Sequence, residues 1–362
     1  MGENDFYLYA ESLDYNYRLI GKLANKAIRA AKEREKELYD EVYQNSSMTD
    51  KLIREAVLTS LEEVHSLLDK KGTYFNSTIP KHSFLPCDHG IIFAANIAQK
   101  FANISGFIRG MKQIISSQIK NTQAKWPFQE NSPLAQNLNI RYPIVQGAMA
   151  NITESLEFAL MVADHGALPT FALGGLMGPE ADQLLQQVAS SELRDRPYMA
   201  GIIGLEVIKA RRDVQLQSIQ THGVPFTLIA AGSTNLAKHV LTQGQRVFFH
   251  TPALSIFQDA MNNHIEFLIL EGSECGGHIG MLSSWILWEN VLEYLDSIRV
   301  SIHSKVNVIF AGGIMNAMSS AMLATMLGNH LDLINPGIQM GTAYLFTPEI
   351  ISGNALSPVY QN

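Results

Sequence analysis

The sequence predicts an α/β protein, a (β/α)8 TIM barrel with an N-terminal helical extension. Three observations predict it. Eight short apolar runs, each bounded by Gly or Pro, follow one another between residues 142 and 341. Their starts lie roughly 20 to 40 residues apart, a spacing that suits β-α units and is too long for hairpins. Regular β-α alternation implies a parallel sheet covered on both faces, and eight units is the count that closes a barrel. A doubly wound open sheet is the competing arrangement. However, no GxGxxG follows the first run, where that fold carries its pyrophosphate turn.

The elements follow in order. Residues 1–130 read as a helical extension or connector, and residues 131–362 as the barrel. In YRLIGKLANKAIRAAKEREKELYDEV, Leu19, Leu23, Ala27 and Ala30 recur at spacings of 3 and 4 with charges between them, as on an amphipathic helix. Further helices are expected over 52–68 and from Asn103 to about Gln123, with the breaker-rich KKGTYFNSTIPKHSFLPCDHG as loop between them. This third of the chain shows no chemistry and reads as a helical interaction surface.

The eight runs are YPIVQG (142–147), ALPTFAL (167–173), YMAGIIG (198–204), PFTLIAA (225–231), RVFFH (246–250), EFLILEG (266–272), VNVIFAGG (306–313) and GIQMG (337–341). Helix starts are expected at Thr153, ahead of Glu154, Leu156 and Leu160, at Gly178-Pro179-Glu180, and at Ser233 to Asn235. After the eighth run a short helix fits Pro348 to Gly353. An eighth barrel helix of ordinary length does not, so the chain reads as truncated, or closed by a partner or by a rearranged N-terminal helix.

Composition narrows the function. With 46% hydrophobic and 17% charged residues among 362, the chain can bury a large core, which excludes wholesale disorder. A net charge of -7 argues against a nucleic-acid binder. Cys87 and Cys275 are the only cysteines, too few for a disulfide scaffold or a CxxC-type zinc site, and fit a reducing compartment. The charged N-terminus has no apolar signal region, and no stretch approaches the roughly 20 apolar residues of a membrane span. A cytoplasmic protein with neither membrane nor nucleic-acid partners is expected.

In such a barrel the active site lies at the C-terminal strand ends, with phosphate commonly bound after strands 7 and 8. Ala311-Gly312-Gly313-Ile314 ends the seventh run and Gln339-Met340-Gly341-Thr342 the eighth. Gly312, Gly313 and Gly341 let backbone N–H groups approach phosphate oxygens, and Thr342 adds a hydroxyl. The plainer alternative is that Gly312 and Gly313 only turn the chain. After the sixth run, Glu271-Gly272-Ser273-Glu274-Cys275-Gly276-Gly277-His278-Ile279-Gly280 packs four glycines around one imidazole able to move a proton near neutral pH. Rival readings are a Cys275 nucleophile paired with His278, and a metal held by His250, Glu271 and His278. The first needs an activated thiol, and the second lacks HxH or HExxH spacing. No GxSxG elbow marks a serine hydrolase.

Four motifs in register, YPIVQGAMAN, LILEGSECGGHIG, FAGGI and IQMGTAYLFTPE, resemble the nitronate monooxygenase (2-nitropropane dioxygenase) family of FMN-dependent barrels, which includes flavin-type enoyl-acyl-carrier-protein reductases. The resemblance covers roughly residues 132–350. NSPLAQNLNIRYPIVQGAMANIT, the ECGGHIG loop followed by SSWILWE, and MGTAYLFT are most similar to the branch embedded in bacterial polyketide synthases, and residues 84–134 look like the helical connector before that module. The resemblance implies FMN as cofactor, NAD(P)H as electron donor, and a small-molecule or acyl-thioester substrate. It also implies a polyketide synthase or acyl carrier protein as partner.

Carried over, it implies that Ala148 and Met149 offer backbone to the flavin ring and that Glu271, Gly276 and Gly277 lie near the cofactor. Gly312, Gly313, Gly341 and Thr342 would hold the phosphate, and His278 would face the substrate. Departures are Glu271 where many members have Gln, Gly201 where they have Asn, and Ala148 where Pro is usual. The expected function is a flavin-dependent oxidoreductase, nitronate monooxygenase-like or enoyl-reductase-like. The alternative is a non-catalytic remnant or docking module of a biosynthetic megasynthase.

Overall fold

The computed structural model describes residues 8–11, 16–19, 93–277 and 279–360. Two units separate by contacts, Met1–Ile108 and Arg109–Asn362. In the first, β1 (Leu8–Glu11) pairs antiparallel with β2 (Asn16–Leu19). The helix read from Tyr17 onward therefore does not include Tyr17–Leu19. Here the alternation of Leu, Ala, Tyr and Leu on two short segments favours a pleated pair over a helical stripe. The rest of that expected helix, the one over 52–68 and the loop that follows it lie outside the described residues up to Ile92. Helices α1 (Ala94–Phe101) and α2 (Ile104–Ala124) follow, the second matching the expected span to within a residue.

The barrel strands are β3 (Ile144–Gln146), β4 (Thr170–Ala172), β5 (Met199–Ile203), β6 (Phe226–Ala230), β7 (Arg246–Thr251), β8 (Phe267–Glu271), β9 (Val306–Ala311) and β10 (Ile334–Met340). All eight coincide with the apolar runs. They pair in parallel in the order β3-β10-β9-β8-β7-β6-β5-β4. A parallel bridge from Val145 to Leu168 joins the first strand to the approach of the second, which closes the circle. This is the (β/α)8 barrel the spacing predicts.

Helices α4 (Leu156–Asp164), α5 (Gly178–Ala189), α6 (Lys209–Thr221), α7 (Thr234–Thr242), α8 (Leu254–Asn262), α9 (Ser284–Ser297), α10 (Ala317–Leu327) and α11 (Pro348–Ser352) fill the crossovers and the C-terminal segment. Ser233 Oγ accepts the Leu236 N–H at 3.2 Å, the cap expected there. The α4 cap is Ser155, whose Oγ accepts the Phe158 N–H, and not Thr153. Thr153 instead accepts the Met149 N–H at 3.0 Å and folds the loop after β3 into a turn, which delays the helix. The short α11 buries Ile350 against Phe158, Val162 and Ala167, so a five-residue helix covers this side of the barrel. The C-terminal part of α2 lies against α10, with the Thr122 hydroxyl donating to the Ala324 carbonyl at 2.9 Å.

Strand periodicity sorts the core into two layers. Side chains such as Val247, Phe249, Leu268, Leu270, Val308 and Phe310 point outward to the helices, whose Leu185, Phe257, Trp288 and Leu323 meet them. The alternate residues Met199, Phe226, Phe248, Phe267, Ile269 and Ile309 fill the barrel interior. Phe248 stacks on Phe267 with centroids 4.3 Å apart. Helix α3 (Pro133–Leu138), capped by Ser132, inserts Leu134 and Leu138 into this inner layer. Leu134 is fully buried, and its Cδ2 lies 2.4 Å from where a side chain on Gly337 would begin. Leu134→Ala is expected to destabilise the fold by about 2–5 kcal/mol, measured by denaturant unfolding.

Candidate functional site

The inward register that packs the barrel interior continues to the C-terminal strand ends and there changes chemistry. Beyond Ile269 comes Glu271, beyond Phe248 comes His250, beyond Ile309 comes Ala311, and beyond Met199 comes Gly201. These residues, with Gln339 of β10, line one cavity of about 500 Å³. That volume is within the range of small-molecule sites, about 300–1,000 Å³. Ala148, Met149, Glu271, Gly276, Gly277, Gly312, Gly313, Gly341 and Thr342, all named from the sequence, line it together. His278 lies outside the described residues, between Gly277 and Ile279 of the same loop.

The four glycines of the loop after β8 divide into two kinds. A Cβ on Gly272 would lie 2.3 Å from Ser284 Cα, and one on Gly280 would lie 2.5 Å from the Glu271 carbonyl oxygen. Gly272 lets the loop fold tightly onto the start of α9, and Gly280 lets it return against the Glu271 and Pro252 carbonyls. Gly276 and Gly277 have no atom within 4 Å of such a Cβ, and Gly277 has a φ of +81°, so they face open space. Glu274 anchors the loop, its Oε2 accepting both the N–H and the hydroxyl of Ser284 at 2.6 Å. At the helix N-terminus a carboxylate in this place is favoured.

The same division holds after β9. A Cβ on Gly312 (φ +109°) would meet Ser284 Oγ at 2.0 Å, whereas one on Gly313 (φ +72°) meets only Glu274 Cβ at 3.9 Å. At the adjacent end of β10, a Cβ on Gly341 would have Met149 Sδ at 3.5 Å as its nearest neighbour. The N–H groups of Gly313, Gly341 and Thr342 make no hydrogen bond to another described residue. Two neighbouring strand ends thus present free backbone donors around open space, the arrangement a phosphate needs. Near β3, Met149 spends its N–H and C=O on Thr153, while neither backbone group of Ala148 is paired among the described residues.

Electrostatically the cavity is unusual, since no Lys or Arg is among the described residues that line it. Nδ1 of His250 lies 2.8 Å from Oε2 of Glu271, with only 10% and 6% of the two side chains exposed. Cys275 is a poor nucleophile here. Burial first, and then the Glu271 charge, pushes its thiol up to about 12. With Cys87→Ser leaving Cys275 as the sole thiol, alkylation at pH 8 is expected to run about 10²–10³-fold slower than in the unfolded chain. Equal rates would restore the nucleophile reading. Among the described residues no group of three metal-ligating side chains forms, and no helix is long and apolar enough to cross a membrane.

His250 is the residue sequence motifs did not single out as functional on its own. Its signal was an ionisable side chain at the C-terminal inward position of RVFFH, two residues after the interior Phe248.

No family model matches the chain. It is 26% identical over 260 residues to a probable nitronate monooxygenase of Staphylococcus haemolyticus, covering 60% of this chain and 69% of that relative. A probable nitronate monooxygenase of Staphylococcus saprophyticus is 25% identical over 249 residues, 59% of this chain and 67% of the relative. In fold, the chain is similar to a FabK variant from Thermotoga maritima, with a TM-score of 0.52 and 22% identity over 64% of this chain and 69% of that one. FabK itself from the same organism gives 0.50 and 23% over 60% and 64%. By sequence this chain is thus similar to probable nitronate monooxygenases, and by fold to the FabK barrels.

Proposed function

We propose that the cavity holds FMN and that the protein is a flavin-dependent oxidoreductase acting on an enoyl thioester, with nitronate oxidation as a side activity. The observation that carries it is the ring of glycines that a side chain would fill, at Gly276, Gly277, Gly313 and Gly341, beside unpaired backbone N–H groups. Gly313, Gly341 and Thr342 would take the phosphate, with Gly312 fixing the turn. Ala148 would offer its backbone to the ring, Met149 its side chain, and Gly201 and Gly276 would leave room for a flat group. When bound, the flavin supplies electron transfer between a substrate carbon and O2 or NAD(P)H. His278 would give or take the substrate's proton from the glycine-rich loop.

The substrate preference rests on Glu271 and Gly201, which depart from the amide-bearing pattern of nitronate oxidation, so the ring contacts should resemble those of the polyketide-synthase-embedded branch. Such a branch acts among enzymes that build and reduce acyl chains, so a polyketide synthase or acyl carrier protein would be the partner that delivers the thioester. The test compares second-order rate constants for flavin reoxidation by an enoyl thioester and flavin reduction by a nitronate on one FMN-reconstituted preparation, with NAD(P)H as reductant. The enoyl thioester is expected to react faster. A nitronate tenfold faster, about 1.4 kcal/mol in barrier, would reverse the preference.

A further inference from the structure

His250 belongs to no motif that carries the family resemblance, yet it occupies the floor of the cavity. Its strand brings it there because Phe248, two residues earlier, is already in the barrel interior. The imidazole is nine-tenths buried, and its Nδ1 is 2.8 Å from Glu271 Oε2. That contact is short but out of line with the ring N–H. Neither ring nitrogen nor Glu271 Oε2 has a hydrogen-bond partner among the described residues. Gln339 Oε1, from a third strand lining the same cavity, is also buried and unpaired. Buried polar atoms are ordinarily paired, so three such side chains around one space mark a surface completed by a ligand.

The other ionisable groups among the described lining residues are accounted for. Glu274 is engaged by Ser284. Cys275 keeps its proton through burial. No lysine or arginine is among the described lining residues. A flavin that gains electrons gains negative charge, and a protein tunes this by the charge it places nearby. Among the described lining residues, His250 is the side chain that becomes a cation on taking up a proton, and the Glu271 carboxyl lies 2.8 Å from it.

Resting on the flavin reading above, the geometry points to His250, positioned by Glu271, as the residue that takes up a proton when the bound flavin is reduced. The electrons come from the reductant, which is oxidised. Two-electron reduction would itself bring one solvent proton to the flavin, as it does for free FMN; the additional proton, also from solvent, ends on the imidazole, and no heavy-atom bond forms or breaks. Glu271 acts through His250 and is a positioning residue.

The experiment counts protons rather than turnover. The full chain, reconstituted with FMN, is reduced anaerobically by dithionite in weakly buffered solution containing a pH-indicator dye, with free FMN as reference. The proton change of dithionite itself is common to every sample. His250→Asn is expected to take up about one proton fewer per flavin than the unsubstituted protein. Glu271→Gln should lower the count in the same direction, and Glu271→Asp should restore it. An unchanged count in His250→Asn overturns the assignment. Should that variant not fold, an unchanged count in both His250→Gln and Glu271→Gln overturns it equally. An unsubstituted protein that binds no FMN defeats the flavin reading and this inference together. A yellow protein whose count ignores His250 defeats this inference alone.

Discussion

Substituting Gly341 by valine is expected to weaken FMN binding by about 10–100-fold for each charge-assisted hydrogen bond lost, at about 1.5–3 kcal/mol apiece. Gly341 has a φ of −116°, outside the left-handed region that favours glycine. Its Cβ would have only the flexible Met149 thioether near it, at 3.5 Å, and unfolding should stay close to that of the unsubstituted protein. Gly313→Val should abolish FMN retention as well. At a φ of +72° it also adds backbone strain of about 1–3 kcal/mol, which makes it the less clean of the two. Gly312 is unsuitable, because a side chain would strike Ser284 Oγ and disturb the helix start. Equilibrium titration of flavin fluorescence measures both variants. A Gly341→Val protein that binds FMN as tightly as its parent moves the phosphate away from these strand ends.

Replacing His278 by alanine should leave FMN bound and reduce turnover by about 10²–10⁴-fold, the usual contribution of general acid–base help. The expectation comes from its place in the loop that Gly272 and Gly280 fold tightly and Glu274 ties to α9. The two open glycines, Gly276 and Gly277, stand just before it. Single-turnover measurements with enoyl thioester separate the two histidines. Loss of His278 should slow substrate conversion without changing the protons taken up on flavin reduction, and loss of His250 should change that proton count. Wild-type rates in His278→Ala would remove it from the mechanism.

The barrel was legible because each strand is a short apolar run stopped by Gly or Pro, and parallel strands buried on both faces leave little else in those positions. The ends were less legible. Pro169 lacks an N–H and holds β4 to Thr170–Ala172, inside the longer apolar run. Thr153 has the composition of a cap, but its hydroxyl serves the Met149 N–H, a contact set by the turn after β3 and invisible to spacing. Near the N-terminus, Leu19 fits a helical stripe as well as a strand, and only pairing with Leu8 decides between them. Within the site, glycine clusters announced themselves by composition. Which glycines pack and which stand open depends on contacts with Ser284 and the Glu271 carbonyl that form only when the loops fold. His250 and Glu271 meet through the register of two neighbouring strands, so their pairing is a property of the sheet and not of either motif.

On the proposed reading, the cavity at the strand ends is a flavin site whose phosphate is held by the backbone after β9 and β10. Parallel titrations of the apoprotein with FMN and with riboflavin, followed by fluorescence, test it most directly. One FMN per chain is expected, with riboflavin, which lacks the phosphate, bound more weakly by about 10²-fold or more. Equal affinity for the two, or no binding of FMN, would contradict it.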